Sequence, residues 1–464
     1  MIAAFSLATL SIVPWPRSIQ FGSQTFAVAH RVHVRARLLK PRDTSLGDEG
    51  YTLSIVRGGA SIAANTPAGL FYAHQTLQQI EASAGTTMHA VAIRDWPQYR
   101  WRGMHLDVAR HFFDVPTVER YIDLAAHYKL NVFHWHLTDD QAWRLPVAPY
   151  GLLTRGRAHY TAADIRKVIA FAQRRFVTVV PEIEMPAHAD AAIAAYPQFG
   201  CSGDTFCQTP GTIGFLGTVL DAVSKLFPSL HVHIGGDEVP ASYNQTHFLA
   251  TIAGIVRSLG QRIVGWDEIL NAQPPPGAII EAWNDLSRAA AAAHRRYDTI
   301  VSGWPLYFDA AQGDPSQEPP ATRHVSTLAQ VYSWDVMPNG LSAAERAHVL
   351  GGEGAIWTER IPTPQHLFYM ALPRELALSE ILWTPRNAKS WNAFLRRLPD
   401  QFDWLASHGY NFRIPNVAIV LTGGRTIFTA IPGQLQAADA WTDASRLYLR
   451  LGVPLNGSVH YTLN

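Results

Sequence analysis

The run His233-Ile-Gly-Gly-Asp-Glu-Val places two carboxylates side by side after a pair of glycines. Glycine lets a backbone turn sharply and lets neighbouring side chains approach a ligand closely. Adjacent residues on an extended segment point in different directions, so Asp237 and Glu238 need not duplicate each other. Like charges raise the pKa of one member of such a pair, and burial against tryptophan raises it further. A protonated carboxyl beside an ionised one is what an acid catalyst needs. Most glycosidases set their two carboxylates on opposite faces of a sugar, about 5–9 Å apart. A vicinal pair suits the substrate-assisted exception. There the sugar's own 2-acetamido oxygen attacks the anomeric carbon, one carboxylate steadies the amide N–H, and the other protonates the leaving oxygen.

The pair must be held by something, and the surrounding pattern says what. From Arg100 the chain alternates short apolar strands with helices. The strands are read at Met104–Ala109, Asn131–Leu137, Phe176–Ile183, His231–Ile234, Arg262–Trp266, Ala278–Trp283, Thr299–Ser302 and Gly354–Trp357. The helices are read over 115–128, 162–174, 213–225, 248–259, 286–296 and around 367–379. Eight such repeats predict a parallel (β/α)8 barrel rather than a doubly wound open sheet. Residues 1–100 read as a small α/β domain, with strands at Phe26–Ala29, Val32–Leu38 and Tyr51–Val56 and a helix over 67–82. The barrel then covers 101–410, and 411–464 forms a β-rich tail, a partial module whose role the sequence leaves open.

In such barrels the active site lies at the C-terminal ends of the strands. Polar or aromatic residues follow every one. Arg110 and His111 follow strand one, Asp139 and Asp140 strand two, and Glu182, Glu184 and His188 strand three. Asp237 and Glu238 follow strand four, Trp266, Asp267 and Glu268 strand five, and Trp283 and Asp285 strand six. Trp304, Tyr307 and Asp309 follow strand seven, and Trp357 and Glu359 strand eight. Any one of these has a plain reading as a loop cap or rim ion pair. Eight strand ends doing it together point to a site.

Bulk properties narrow the classes. A formal net charge of +1 and the lack of a basic stripe argue against nucleic acid or an anionic membrane as partner. No apolar run reaches the length of a membrane span. The first ten residues are apolar but lack the basic start of a complete secretory signal. Cys201 and Cys207 have no ligand-spaced partners for zinc, which leaves a loop disulfide or two free thiols; a disulfide would suit an oxidising compartment. No cofactor or metal is expected, and the oligomeric state is unreadable.

The chain resembles the β-N-acetylhexosaminidases of glycoside hydrolase family 20. The resemblance rests on Arg102-Gly-Met-His-Leu-Asp-Val-Ala-Arg-His-Phe-Phe, His134-Trp-His-Leu-Thr-Asp-Asp-Gln-Ala-Trp-Arg, Pro181-Glu-Ile-Glu-Met-Pro-Ala-His, His233-Ile-Gly-Gly-Asp-Glu-Val, Gly265-Trp-Asp-Glu-Ile-Leu and Gly351-Gly-Glu-Gly-Ala-Ile-Trp-Thr-Glu. It implies Glu238 as general acid and then base, Asp237 as the residue that orients the acetamido nitrogen, and Tyr307 as donor to the acetamido oxygen. It implies Trp266, Trp283 and Trp357 as pocket walls, Arg110 on the O3 and O4 hydroxyls, and Asp309 and Glu359 on O4 and O6. Asp139 and His188 would form a relay behind Glu238. The implied substrate is an oligosaccharide or glycoconjugate, as in chitin or glycan degradation, and the implied location is periplasmic or secreted. Glu184 stands where the family usually has Asp, Ala187 where it has Gly, and Gly354 where Ala is commoner. The Gly303-Trp-Pro-Leu-Tyr-Phe-Asp run is looser than the family's. Two rival readings stand beside this one. A two-carboxylate retaining β-glycosidase would take Glu268 or Glu353 as nucleophile. A non-catalytic sugar-binding barrel would not need to keep both Asp237 and Glu238.

Overall fold

The computed structural model describes residues 10–27, 33–83, 87–201, 203–316, 318–414, 417–422, 425–430, 440–443 and 446–449. The chain divides into two compact units, 97–383 and a second made of 1–96 with 384–464. Residues 384–410, assigned above to the barrel, therefore group with the N-terminal segment.

In the second unit, five strands form one sheet: Ser18–Ala27, Thr87–Asp95, Tyr51–Val56, Gly59–Ala64 and Val34–Leu38, in that spatial order. The alternation of Tyr51, Leu53 and Ile55 buries one face, as a period of two requires. The helix Pro67–Ser83 covers that face with Tyr72, Ala73, Leu77 and Ile80. Tyr51 donates to Asp95 at 2.8 Å, so the buried hydroxyl is satisfied. The strands at 59–64 and 87–95 carry weak alternation and escape a sequence reading. So does the helix Trp391–Ser407, whose Phe394, Leu398, Phe402 and Leu405 are buried at helical spacing. The tail strands Val417–Thr422 and Arg425–Ala430 pair antiparallel, and Ala440–Asp443 and Arg446–Leu449 extend the sheet. The apolar start at 1–9 lies outside the described residues, as do the Gly423-Gly424 pair, which the tail's sequence offers as a turn, and the run 458–464, which it offers as a strand.

In the other unit eight parallel strands close into a barrel. They are Trp101–Asp107, Val132–His136, Thr178–Glu182, His231–His233, Arg262–Trp266, Ile279–Ala282, Asp298–Val301 and Val349–Gly354, numbered one to eight below. The lowest interior layer is apolar: Trp101, Val132, Val180, Val264, Ile279, Ile300 and Leu350 pack together. Each such side chain contributes about 1.5–3 kcal/mol when removed from water. Helices start on the expected side-chain caps, for example Asp114 on Thr117 N and Thr161 in a capping box with Asp164.

Strand eight lies at 349–354, five residues ahead of the expected Gly354–Trp357. Gly351-Gly352 looks like a turn in sequence, but the two glycines are strand residues that let the ring close. A Cβ on Gly351 would meet the Trp101 carbonyl oxygen at 1.9 Å. Strand five is followed by a 3-10 turn, Asp267–Ala272, rather than a full helix. The last helix is two, Pro364–Ala371 and Arg374–Trp383, because Pro373 cannot continue the first. No helix among the described residues is long and apolar enough to cross a membrane.

Candidate active site

A cavity of about 200 Å³ opens where the barrel strands end, lined by Arg110, His188, Asp237, Glu238, Trp266, Trp283, Ser302, Tyr307, Ala355, Trp357 and Glu359. Nine of the eleven residues to which the family resemblance gives roles line it. Asp139 lies beneath, bound to Arg110 at 2.8 Å. Asp309 opens instead into a neighbouring recess with Thr322 and Arg360, which shares Trp357 and Glu359 with the cavity.

The Gly-Gly turn positions the carboxylate pair. A Cβ on Gly235 would meet Glu184 Oε2 at 1.9 Å, and one on Gly236 would meet Ile269 at 2.6 Å. Only glycine lets the chain pass there. Glu238 itself takes a φ of +48°, and His188 one of +53°. That left-handed conformation costs an ordinary residue on the order of 1–2 kcal/mol. Such cost is typically retained where a side chain must be aimed.

The two carboxylates sit in different surroundings. Asp237 is 15 % exposed and Glu238 63 %. Burial pushes the Asp237 carboxyl up to about 7, with His188 pulling it down and Glu182 and Glu268 adding to the rise. The raised member of the pair is thus Asp237. The Glu238 carboxyl still faces water, so its desolvation has to come from the bound sugar. Asp237 Oδ1 is buried without a hydrogen-bond partner.

His188 ties the pair to the relay expected behind it. Its Nε2 lies 3.4 Å from Glu238 and 3.6 Å from Asp237. Its Nδ1 lies 3.4 Å from Asp140 and 3.7 Å from Asp139. Burial works against charge on this ring, but the close contact with Asp140 and the fields of Asp237 and Asp139 outweigh it and raise its pKa to about 9. Arg110 reaches Asp139, Asp107 at 3.5 Å and Glu359 at 3.9 Å. These carboxylates more than offset its burial and hold its proton firmly.

The other wall is aromatic. Strands four and eight face each other across the ring. Trp357 follows strand eight, with Arg110 stacked over it at 5.1 Å. Trp266 donates to Glu184 at 3.4 Å and Trp283 to Glu268 at 3.0 Å. Tyr307 donates its hydroxyl to the Trp283 carbonyl at 2.6 Å.

Both nucleophiles nominated for a two-carboxylate mechanism turn away from the cavity. Glu268 is held by Trp283 and Asn284. Glu353 is fully buried inside the barrel, accepting from Trp101 and His134. His134 and His136, beneath the site, were not singled out in the sequence; Asp140, Glu182 and Glu184 were noted only as strand-end residues, and Glu353 only as a nominated nucleophile. The signal was present, since His134 and His136 alternate on one strand and must point the same way. Asp139, Asp140 and His188 bring three donor atoms within 4.8 Å, as do His136, Glu182 and Glu184. They have metal-ligand chemistry, but Asp139 is engaged by Arg110 and His136, and Glu182 by His136. Cys201 and Cys207 are joined as a disulfide.

Comparison with known proteins agrees with this geometry. The profile of glycosyl hydrolase family 20, catalytic domain, matches residues 99–247 and 241–386, and that of the same family's domain 2 matches 35–96. The chain is 35% identical to a beta-hexosaminidase of Porphyromonas gingivalis, over 90% of this chain and 60% of that protein. It therefore spans less than two thirds of that relative. It is 34% identical to a beta-N-acetylhexosaminidase of Cellulomonas fimi, over 78% of this chain and 79% of that one. Among solved structures, the N-acetyl-beta-hexosaminidase of Streptomyces plicatus superposes with a TM-score of 0.80 at 28% identity, covering 87% of this chain and 96% of that one.

Proposed function

The chain belongs to glycosyl hydrolase family 20, a family of glycoside hydrolases, and on that premise we propose that it is an exo-acting β-N-acetylhexosaminidase. It would release terminal, non-reducing GlcNAc or GalNAc with retention, through the substrate's 2-acetamido group. The observation that carries this reading is Asp237 Oδ1, a buried acceptor with no partner, set in a small aromatic-walled cavity. An acetamido N–H is the donor it lacks.

The steps follow from the groups present. The acetamido oxygen bonds to the anomeric carbon as the bond to the leaving oxygen breaks. Glu238 gives its proton to that oxygen. Asp237 accepts from the acetamido N–H and offsets the positive charge of the cyclic intermediate. Tyr307 donates to the acetamido oxygen, which requires its hydroxyl to leave the Trp283 carbonyl. Glu238 then takes a proton from water, whose oxygen attacks the anomeric carbon and reopens the ring. Two inversions at one carbon give retention. The volume is below the roughly 300–1,000 Å³ of drug-sized pockets, which favours a single terminal sugar. The Cys201–Cys207 disulfide favours an oxidising compartment, and we infer export to the periplasm or medium.

Hydrolysis of an aryl β-N-acetylglucosaminide compared with the matching aryl β-glucoside tests the mechanism. Activity on the first alone is expected. Comparable rates on both would require a protein nucleophile and overturn the assisted pathway.

A further inference from the structure

The barrel interior is not the apolar packing that such barrels usually hold. Above the apolar layer a line of ionisable groups runs inward from the cavity floor. Arg110 contacts Asp139 at 2.8 Å. Asp139 Oδ2 accepts from His136 Nε2 at 2.9 Å, and His136 Nδ1 meets Glu182 Oε2 at 2.5 Å. The same Glu182 oxygen lies 3.0 Å from His134 Nε2, an ion-pair contact off the line of a good hydrogen bond. His134 Nδ1 meets Glu353 Oε1 at 2.7 Å, and Glu353 Oε2 accepts from Trp101 Nε1 at 3.0 Å. Strand register sets the heights, with His134 opposite Val180 and His136 opposite Glu182.

Each of the two imidazoles stands between two carboxylates. An ionised carboxylate only accepts, so with these carboxyls ionised a ring nitrogen that faces one carries a proton, and each ring is read as holding a proton on both nitrogens. The line then alternates in sign: Arg110 positive, Asp139 negative, His136 positive, Glu182 negative, His134 positive, Glu353 negative. Three charges of each sign cancel, which is how a buried ionic line avoids the cost of unpaired charge.

We propose that this alternating line is a positioning device for catalysis, with His136 as the positioning residue that fixes the Asp139 carboxylate on which Arg110 and His188 both bear. One buried anchor would thereby set the arm that holds the sugar and the arm that serves Glu238. The proposal rests on the hexosaminidase reading for what the two arms do.

The groups facing His136 support the assignment. Strand three presents Glu182 and, 4.0 Å away, Glu184. Strand one presents His105 and Asp107, and Trp357 covers the ring at 5.0 Å from strand eight's end. Burial opposes charge here, but Glu182, Asp139 and Asp107 raise His136 to about 10. His134 is raised well above the ordinary value by Glu182 and Glu353 against the same burial. His105 and His233 are lowered, first by burial and then by charged rings nearby. Glu182 is opposed by burial yet held well below the carboxylate range by His136, His233 and His134.

Two measurements test this on the full chain. In His136→Gln, kcat/KM for an aryl β-N-acetylglucosaminide should fall about 10- to 100-fold, the scale of a displaced catalytic arm. KM should rise as Arg110 loosens, and the alkaline limb of the pH profile set by His188 should move. His134→Gln, one link further in, should change both in the same direction by less. A variant that melts earlier yet keeps wild-type KM and limb would reduce the line to a structural role and overturn the proposal. The second measurement needs neither activity nor a variant that folds. In the 15N-histidine-labelled wild-type chain, at least two imidazoles besides His188, which loses its second proton near pH 9 and is told apart by that titration, should remain protonated on both nitrogens at pH 8. Fewer than two overturns the alternating line whatever the substrate. A wild-type chain inactive on the acetamido substrate but keeping those signals would sink the hexosaminidase reading alone.

Discussion

The two halves of the cavity are built in opposite ways. Strands one to four supply Arg110, Asp139, His188, Asp237 and Glu238, joined by ion pairs before any substrate arrives. Strands five to eight supply Trp266, Trp283, Tyr307 and Trp357, anchored by single hydrogen bonds from indole or hydroxyl donors and by stacking. Charge in a dry site acts over distance and needs no contact to be strong. An aromatic wall acts by shape and loses its effect once the fit is lost. The charged half should therefore set the rate of bond breaking, and the aromatic half the choice of sugar and the placement of its acetyl arm.

The largest effect should come from Glu238→Gln. An acid catalyst is worth roughly 10²–10⁴-fold. On a substrate with a basic leaving oxygen, turnover should drop by about 10³-fold. On an activated aryl glycoside the drop should be much smaller, because that leaving group departs without a proton. Equal losses on the two substrates in steady-state kinetics would remove Glu238 from the acid role and break the contrast between the halves.

Tyr307→Phe probes the other half. One preorganised donor to a developing charge is worth about 10²–10³-fold. Tyr307 spends its single O–H on the Trp283 carbonyl in this structure, so the substrate regains only part of that value. A loss of about 100-fold in kcat/KM is expected, with a fall in preference for N-acetyl over longer N-acyl substrates as Trp283 loses its brace. An unchanged acyl preference would mean that the hydroxyl does not shape the acetyl pocket.

The sequence made the charged half more legible than the aromatic one. Asp237, Glu238, Arg110 and His188 stand in runs whose glycines and adjacent carboxylates have few other uses. Asp309 illustrates the limit. It sits two residues from Tyr307 and shares its loop, yet it faces the adjacent recess, because side-chain direction past a strand end depends on the loop's path. Strand eight was misplaced for a related reason: Gly351-Gly352 serves close packing against Trp101, which local propensity cannot distinguish from a turn. The buried line through His136 and Glu182 was missed because its members belong to different strands. Their adjacency comes from barrel register. The nucleophiles nominated for the two-carboxylate alternative had no direction in the sequence, whereas in the structure Glu353 points into the barrel and Glu268 toward Asn284.

The smallest expected effect is also the one that separates the halves by charge alone. His188 has a folded-state pKa of about 9, above the roughly 6.5 of a free imidazole. A raised value means the native ring keeps a proton that the unfolded chain gives up between those values. The stability it contributes is full below about 6.5 and is lost as pH rises through about 9. If the cation serves Glu238, kcat/KM should show an alkaline limb near pH 9 and be down about tenfold one unit beyond it. Asp237→Asn removes a carboxylate 3.6 Å from the ring, so the limb should move to lower pH, by about one unit. Tyr307→Phe changes no charge near the ring and should leave the limb where it is. Profiles of kcat/KM between pH 6 and 10 for the three chains decide the matter. A limb that follows Tyr307 rather than Asp237 would mean that the aromatic half, and not the ion-paired one, governs the ionisation that catalysis depends on.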